Sequence, residues 1–126
     1  MPTLDPTHAA LLDMVYRAFN ARNTTAALAL MQPDVEWSAA FKGQYLYGYE
    51  EVRNFWATQW QHLDVVIQPL DYHPLPDGRV ATRVSQLAHD VTGAVVIDNQ
   101  VTHIYQFAGG LIKRMDIKSI HFLDQL

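Results

Sequence analysis

One histidine lies within the most apolar part of this chain. His103 stands in the stretch VTHIYQF, where apolar and aromatic residues surround it. A histidine near neutral pKa can accept or donate a proton, or can polarise a carbonyl group through a hydrogen bond. Burial in an apolar pocket would favour its neutral form, because desolvation disfavours the charged ring. The alternative is a core histidine that bonds Tyr16 or a backbone carbonyl and does no chemistry.

Other side chains could complete a pocket around this histidine. His89 joins it if its strand turns that face inward, and Asn99 could orient a ligand or satisfy a backbone group. Packing in the core explains the aromatic candidates as well as a role in binding does. The candidate wall residues are Tyr16, Trp37, Trp56, Trp60, Tyr105, Met115 and Ile117.

The composition argues against several kinds of site. The chain has 126 residues and no cysteine, which excludes thiolate chemistry, disulfides and cysteine metal ligands. Its six histidines show no i, i+4 pair and no cluster with carboxylates, so we expect no metal. It contains no glycine-rich phosphate loop and no serine in a nucleophile motif. We therefore expect no cofactor.

The charge and the N-terminus limit the partners. The net charge is −4, and the nine Lys and Arg residues are scattered, so we expect no nucleic acid and no anionic membrane surface as a partner. No stretch approaches the ~18 apolar residues of a membrane span. The first residues lack a basic start, and Asp5, His8 and Asp13 interrupt the apolar run, so they do not resemble a signal peptide. We expect a cytoplasmic protein.

Helical periodicity covers the first half of the chain. Thr7 is predicted to cap a first helix that ends near Arg22, and a short second helix is stopped by Pro33. Gly48 opens a third helix with a bulky apolar stripe that includes Trp56. A brief strand is predicted at 35–37. The irregular segment 38–47 contains Phe41, Tyr45 and Tyr47, which predicts either a flap or packing against the body.

Strand periodicity covers the second half, joined by turns at 76–78, 92–93 and 109–110. Pro69 indicates an edge or a bulge in the first of these strands. The predicted strands are 65–72, 80–91, 95–107 and 111–120. Helices followed by antiparallel strands predict one α+β domain over residues 1–126, with a curved sheet around the helices.

Alternation along the strands sorts their two faces. His103 and Tyr105 share the inner face of the third long strand, and Met115 and Ile117 share that of the fourth. The parity of the second long strand, which carries Arg83 and His89, is left open. The alternation places Ile104 and Ile112 on the outer face.

Four segments resemble one family: LLDMVYRAFNARN, ALMQPDVEW, GYEEVRNFW and VTHIYQFAGGLIKRMDI. They resemble the nuclear transport factor 2-like superfamily, in particular its SnoaL-like and ketosteroid-isomerase-like branch. The resemblance implies a cone-shaped, curved antiparallel sheet wrapped around N-terminal helices (a cystatin-like roll) that encloses an apolar pocket. It also implies a homodimer through the outer face of the sheet.

The resemblance also suggests which positions to compare with ketosteroid isomerases. There, a tyrosine and an acid stabilise an enolate oxygen while a second acid moves the proton. The motifs place these three groups at Val15, His103 and Trp37. Val15 and Trp37 carry no proton-transfer group, so the resemblance implies the pocket and His103 but not the isomerase's proton shuttle. Two inward histidines, His89 with His103, would resemble the dehydratase members.

Three functions follow as hypotheses. The first is a pocket that binds a small hydrophobic molecule, with His103 performing cofactor-free isomerisation, cyclisation or dehydration if the protein is an enzyme. The second is a non-catalytic ligand-binding or dimerisation module in which His103 is structural. The third is a protein-interaction domain that uses Ile104 and Ile112 on the outer sheet face.

Overall fold

A computed structural model of the chain describes residues 2–39 and 43–126. Its α-helices are α1 (Pro6–Asn20), α2 (Thr24–Leu28) and α3 (Gly48–His62). Its strands are β1 (Met31–Ala39), β2 (Gln44–Tyr47), β3 (Leu63–Pro74), β4 (Val80–Asp90), β5 (Val95–Ala108) and β6 (Leu111–Ser119). A 3₁₀ helix (Phe122–Gln125) follows the last strand.

The six strands form one curved sheet in the order β2-β1-β6-β5-β4-β3. Neighbouring strands are antiparallel except β1 and β6, which run parallel. The three helices pack against the inner face of the sheet, and a continuous apolar core fills the space between them. The predicted α+β fold with a curved sheet and N-terminal helices is thereby confirmed.

The first helix begins and ends differently from the prediction. Asp5, rather than Thr7, caps α1, because its Oδ1 accepts a hydrogen bond of 2.8 Å from the Thr7 amide. Pro6 occupies the first helical position, where the missing N–H costs nothing. The helix ends at Asn20, and Arg22 adopts a positive φ of 60°. Its guanidinium donates 2.7 Å to the Val65 carbonyl, which ties the end of α1 to β3.

The second helix and the first strand also differ from the prediction. The second helix ends at Leu28, and Pro33 lies within β1 instead of stopping a helix. The proline is tolerated because the pairing of β1 with β6 is interrupted there, between Met31 and Glu36, so no ladder bond is required of it.

The segment predicted to be irregular contains β2. Tyr45 and Tyr47 lie on this strand, and the Tyr45 hydroxyl donates to Asp116 on β6, so this tyrosine packs against the body. Phe41 lies outside the described residues. The prediction for Pro69 is confirmed in both respects, because β3 is an edge strand and its pairing with β4 shifts between Pro69 and Asp71.

Two isoleucines that were predicted to project from the outer face of the sheet are buried. Ile112 belongs to the main core, because a bulge between Gln106 and Phe107 in the pairing of β5 with β6 reverses the alternation at the start of β6. Ile104 does point outward, but it is buried in a second small cluster covered by residues of the 3₁₀ helix. The hypothesis that both isoleucines project from an exposed surface is therefore wrong.

Candidate functional site

An apolar cavity lies between α1, α3 and the inner face of the sheet. Its volume is about 60 Å³, within a depression of about 600 Å³ that includes space open to solvent. The helices contribute Val15, Tyr16, Phe19, Phe55, Trp56 and Gln59 to its lining. The strands contribute Trp37, Ser38, Val65, Ile67, Gln86, His103, Tyr105, Met115 and Ile117.

His103 reaches the cavity from the middle of the sheet. It lies on β5 directly opposite Thr82 of β4 and Ile117 of β6, so its neighbours on both sides share the inner face. The side chain is almost fully buried, with 3% of the residue exposed. The predicted inward orientation of His103, Tyr105, Met115 and Ile117 is confirmed, since all four line the cavity.

A chain of buried hydroxyl groups holds the histidine ring. The Tyr105 hydroxyl donates 2.7 Å to the Tyr16 hydroxyl, which lies 2.9 Å from His103 Nδ1. Tyr16 has one hydroxyl hydrogen, and with Tyr105 as its donor that hydrogen is available to Nδ1. A neutral ring that accepts at Nδ1 carries its own hydrogen at Nε2. The hydrogen bond that His103 makes within the described residues is at Nδ1, so Nε2 is the ring nitrogen left for a ligand.

Burial sets the protonation states of His103 and the two tyrosines. Desolvation lowers the pKa of His103 from 6.5 to about 4, so the ring is neutral at physiological pH. Burial also raises the pKa of Tyr16 and of Tyr105 well above 10, so both phenols keep their hydrogens. The group facing the cavity is therefore a neutral imidazole held by two neutral phenols.

Tryptophan rings form one wall of the cavity. Trp37 and Trp56 meet edge to face, with ring centroids 5.6 Å apart, and both line the cavity. Trp60 does not line it. Its ring lies behind Phe19 and Trp56, with the Arg22 guanidinium 5.0 Å from its centroid. Trp60 thus supports the wall from outside.

Two further predicted site residues, His89 and Asn99, lie away from the cavity. His89 directly follows Ala88, which is buried in the core, and is paired with Asp64, so it lies on the outer face with Arg83. The parity that the sequence left open is thereby resolved. Asn99 shares the inner face of β5 but lies beyond the cavity, where its side chain is exposed. The two-histidine arrangement of the dehydratase members is absent from the described residues.

Sequence reasoning missed the polar residues Gln59, Gln86 and Ser38 in the lining. The alternation of Val84 and Ala88 could have placed Gln86 inward, because both neighbours on that face are fully buried. On α1, the hydroxyl group next to His103 comes from the residue after the one that the motif comparison indicated. Val15 lines the cavity, but the adjacent Tyr16 supplies the hydroxyl group that reaches His103.

The described lining of the cavity carries no formal charge. Within residues 2–39 and 43–126, no aspartate, glutamate, lysine or arginine lines it. No group of three potential metal ligands occurs in the same part of the chain. None of the helices described there has the length and apolarity needed to cross a bilayer.

Residues 12–115 match the family model of the SnoaL-like domain. No curated protein is significantly similar to the sequence. Three similar crystal structures, each 18% identical to this chain, are a nuclear transport factor 2-like protein of unknown function from Burkholderia pseudomallei, a proposed polyketide cyclase from Xanthomonas campestris, and a protein from Mycobacterium tuberculosis in complex with estradiol-17β-hemisuccinate.

The first covers 97% of this chain and 98% of its own, with a TM-score of 0.78. The second covers 88% of both chains with a TM-score of 0.78, and the third covers 88% of this chain and 92% of its own with a TM-score of 0.76. At this identity the likeness shows the fold, and it confirms the predicted nuclear transport factor 2-like architecture.

Proposed function

Because this chain belongs to the SnoaL-like domain family, we propose that its cavity binds a small, uncharged, largely apolar molecule and polarises a carbonyl group of that molecule. The observation that carries the proposal is the neutral, buried His103, held at Nδ1 by Tyr16 and facing an apolar cavity. A ring fixed in this way presents Nε2–H as a directed hydrogen-bond donor. A carbonyl oxygen is the complementary acceptor.

The absence of charge along the described lining supports an uncharged ligand. A carboxylate or ammonium group would lose its hydration on entry and would find no opposite charge to compensate for it. Aromatic and aliphatic walls instead favour rings and short alkyl groups. The cavity volume of about 60 Å³ fits the carbonyl end of such a molecule, and the remainder occupies the wider depression.

The chemistry that this site suits is cofactor-free isomerisation, cyclisation or dehydration beside a carbonyl group. In these reactions negative charge develops on the carbonyl oxygen, and a preorganised donor in a site of low polarity stabilises that charge. A neutral imidazole can serve as this donor without changing its protonation state. No carboxylate in the described lining could remove the adjacent proton, so the proposal does not include the ketosteroid isomerases' proton shuttle.

The similar structures support this proposal at the level of the fold. One is named as a proposed polyketide cyclase, and another holds estradiol-17β-hemisuccinate. Both descriptions suit a fold that takes organic molecules. The assignment of a carbonyl compound to this chain depends on its own His103, Tyr16 and Tyr105.

The test compares two ligands of similar shape, 2-acetylnaphthalene and 2-ethylnaphthalene, which differ in the carbonyl oxygen. We expect the ketone to bind the wild-type protein roughly three- to tenfold more tightly, the effect of one hydrogen bond. In His103→Leu this preference should be lost or reversed, because the donor is gone and a buried carbonyl oxygen without a partner costs binding energy. Thermal shift and isothermal titration calorimetry measure both quantities.

His103→Gln is the matched variant, because its amide NH₂ can still donate to the ketone. It should keep part of the preference that His103→Leu loses. Equal binding of the two compounds to the wild-type protein would contradict polarisation by His103. Failure of both compounds, and of a wider set of ketones and lactones, to stabilise the protein would contradict ligand binding itself.

A further inference from the structure

The cavity has a second polar end, far along the sheet from His103. Gln86 lines the cavity and lies on β4, four residues beyond Thr82, which is the residue opposite His103. Four residues of an extended strand span roughly 13 Å. The inner face between these two levels is apolar, since Val84 and Val101 are paired there. The lining therefore has polar groups at two levels separated by an apolar stretch.

The amide of Gln86 is held in one orientation. Its Nε2 donates 3.0 Å to Oδ1 of Asn99, the residue directly opposite it on β5. This bond uses one of the two N–H groups of Nε2 and turns the carbonyl oxygen Oε1 away from Asn99, so that Oε1 is the acceptor that this amide offers a ligand. No described residue hydrogen-bonds Oε1, and a bound hydroxyl group could donate to it. Gln59 also lines the cavity, but no described hydrogen bond fixes its amide.

We propose that Gln86 determines ligand specificity by accepting a hydrogen bond from a hydroxyl group at the end of the ligand remote from His103. Asn99 is the positioning residue that orients the Gln86 amide. The inference rests on the proposed function, in which His103 donates to the ligand's carbonyl oxygen. It deepens that function by naming the ligand class: hydroxylated ring compounds with a carbonyl group at the opposite end.

The spacing of the two polar groups sets the length of the ligand. If the two side chains stand perpendicular to the sheet, subtracting two hydrogen bonds of about 2.9 Å from the backbone separation leaves on the order of 7 Å between the ligand's two oxygens. This is about the distance across two fused six-membered rings with substituents at opposite ends. A single ring would reach one polar group and leave the other unpaired.

The test uses 6-hydroxy-2-acetylnaphthalene and 2-acetylnaphthalene, which share the ketone and differ in the remote hydroxyl group. In isothermal titration calorimetry we expect the wild-type protein to bind the hydroxylated ketone roughly three- to tenfold more tightly. Gln86→Leu should abolish this preference, because leucine keeps the shape of the wall but lacks the acceptor.

Variants of Asn99 test whether the orientation of the Gln86 amide matters or only its presence. Asn99→Asp keeps an oxygen that accepts from Gln86 Nε2 and should retain the preference. Asn99→Ala frees the Gln86 amide to rotate and should reduce the preference, although Gln86 itself is intact. Asn99 is exposed, so neither variant disturbs the core. A purely structural role for Asn99 would not distinguish these two substitutions.

The possible results test the role of Gln86 and the proposed function separately. If the wild-type protein binds both ketones equally, the role of Gln86 is overturned while carbonyl binding stands. If it binds neither ketone, the proposed function fails and the inference fails with it. His103→Leu should weaken both ketones by the same factor and leave their ratio unchanged. If the ratio of the two ketone affinities changes in His103→Leu but not in Gln86→Leu, the assignment of the hydroxyl group to Gln86 is overturned.

Discussion

Trp56→Ala is expected to lower the free energy of unfolding by about 3–5 kcal/mol, the range for removing a large buried aromatic side chain. Trp56 is 2% exposed. Its ring centroid lies 5.3 Å from that of Phe19, 5.6 Å from Trp37 and 5.8 Å from Trp60. Alanine would remove the ring that these three contact and leave a void between α1, α3 and β1. Urea unfolding followed by circular dichroism measures the change.

Met14→Ala is the matched control for the same measurement. Met14 lies on α1 but is 52% exposed, so its truncation should change the free energy of unfolding by less than about 0.5 kcal/mol. If Trp56→Ala cost less than about 1 kcal/mol, the tryptophan wall would not be the packed element of the core described above.

Acidification is expected to destabilise the wild-type protein through His103. Its pKa is about 4 in the folded protein and 6.5 as the ordinary value, so between these limits the unfolded chain binds a proton that the folded chain does not. The contribution of the neutral histidine is therefore complete above pH 6.5. It is lost as the pH falls from 6.5 to 4, by up to about 3 kcal/mol. The physical reason is that burial strips the protonated ring of most of its hydration, and no carboxylate of the described residues lines its cavity.

Comparison with His103→Gln separates the effect of His103 from that of the carboxylates, because the carboxylates contribute to the pH dependence of both proteins. Glutamine is neutral at every pH, and its amide oxygen can accept the hydrogen of Tyr16. The difference in free energy of unfolding, wild type minus variant, should be largest above pH 6.5 and should shrink by up to about 3 kcal/mol toward pH 4. A difference that stays constant from pH 7.5 to pH 4 would show that His103 is solvated.

The inner face of the sheet was predictable from the sequence where alternation is unbroken. In β5, Val101, His103 and Tyr105 alternate with residues that face outward, and the Gly109–Gly110 turn fixes where β6 begins. Both glycines have positive φ, as a two-residue hairpin turn requires. Local patterns of this kind were sufficient to place His103, Met115 and Ile117 in one cavity.

Features that depend on contacts distant in sequence were not predictable. The bulge that turns Ile112 inward is a property of the pairing between β5 and β6, not of either strand alone. Ile104 is buried because the 3₁₀ helix at the C-terminus folds back over the outer face. The orientation of Gln86 depends on Asn99 of a neighbouring strand. For the same reason, the hydrogen bond between Tyr16 and His103 was only one of the alternatives that the sequence offered.

The most direct test of carbonyl polarisation by His103 is the infrared stretching frequency of a bound carbonyl group. Isotope-edited difference spectra of 2-acetylnaphthalene labelled with ¹³C at the carbonyl carbon report this frequency in the wild-type protein and in His103→Leu. A hydrogen bond from Nε2–H weakens the C=O bond, so the stretch in the wild-type protein should lie below that of the ketone in an apolar solvent. In His103→Leu it should return toward the solvent value. The same frequency in both proteins would contradict the proposed role of His103.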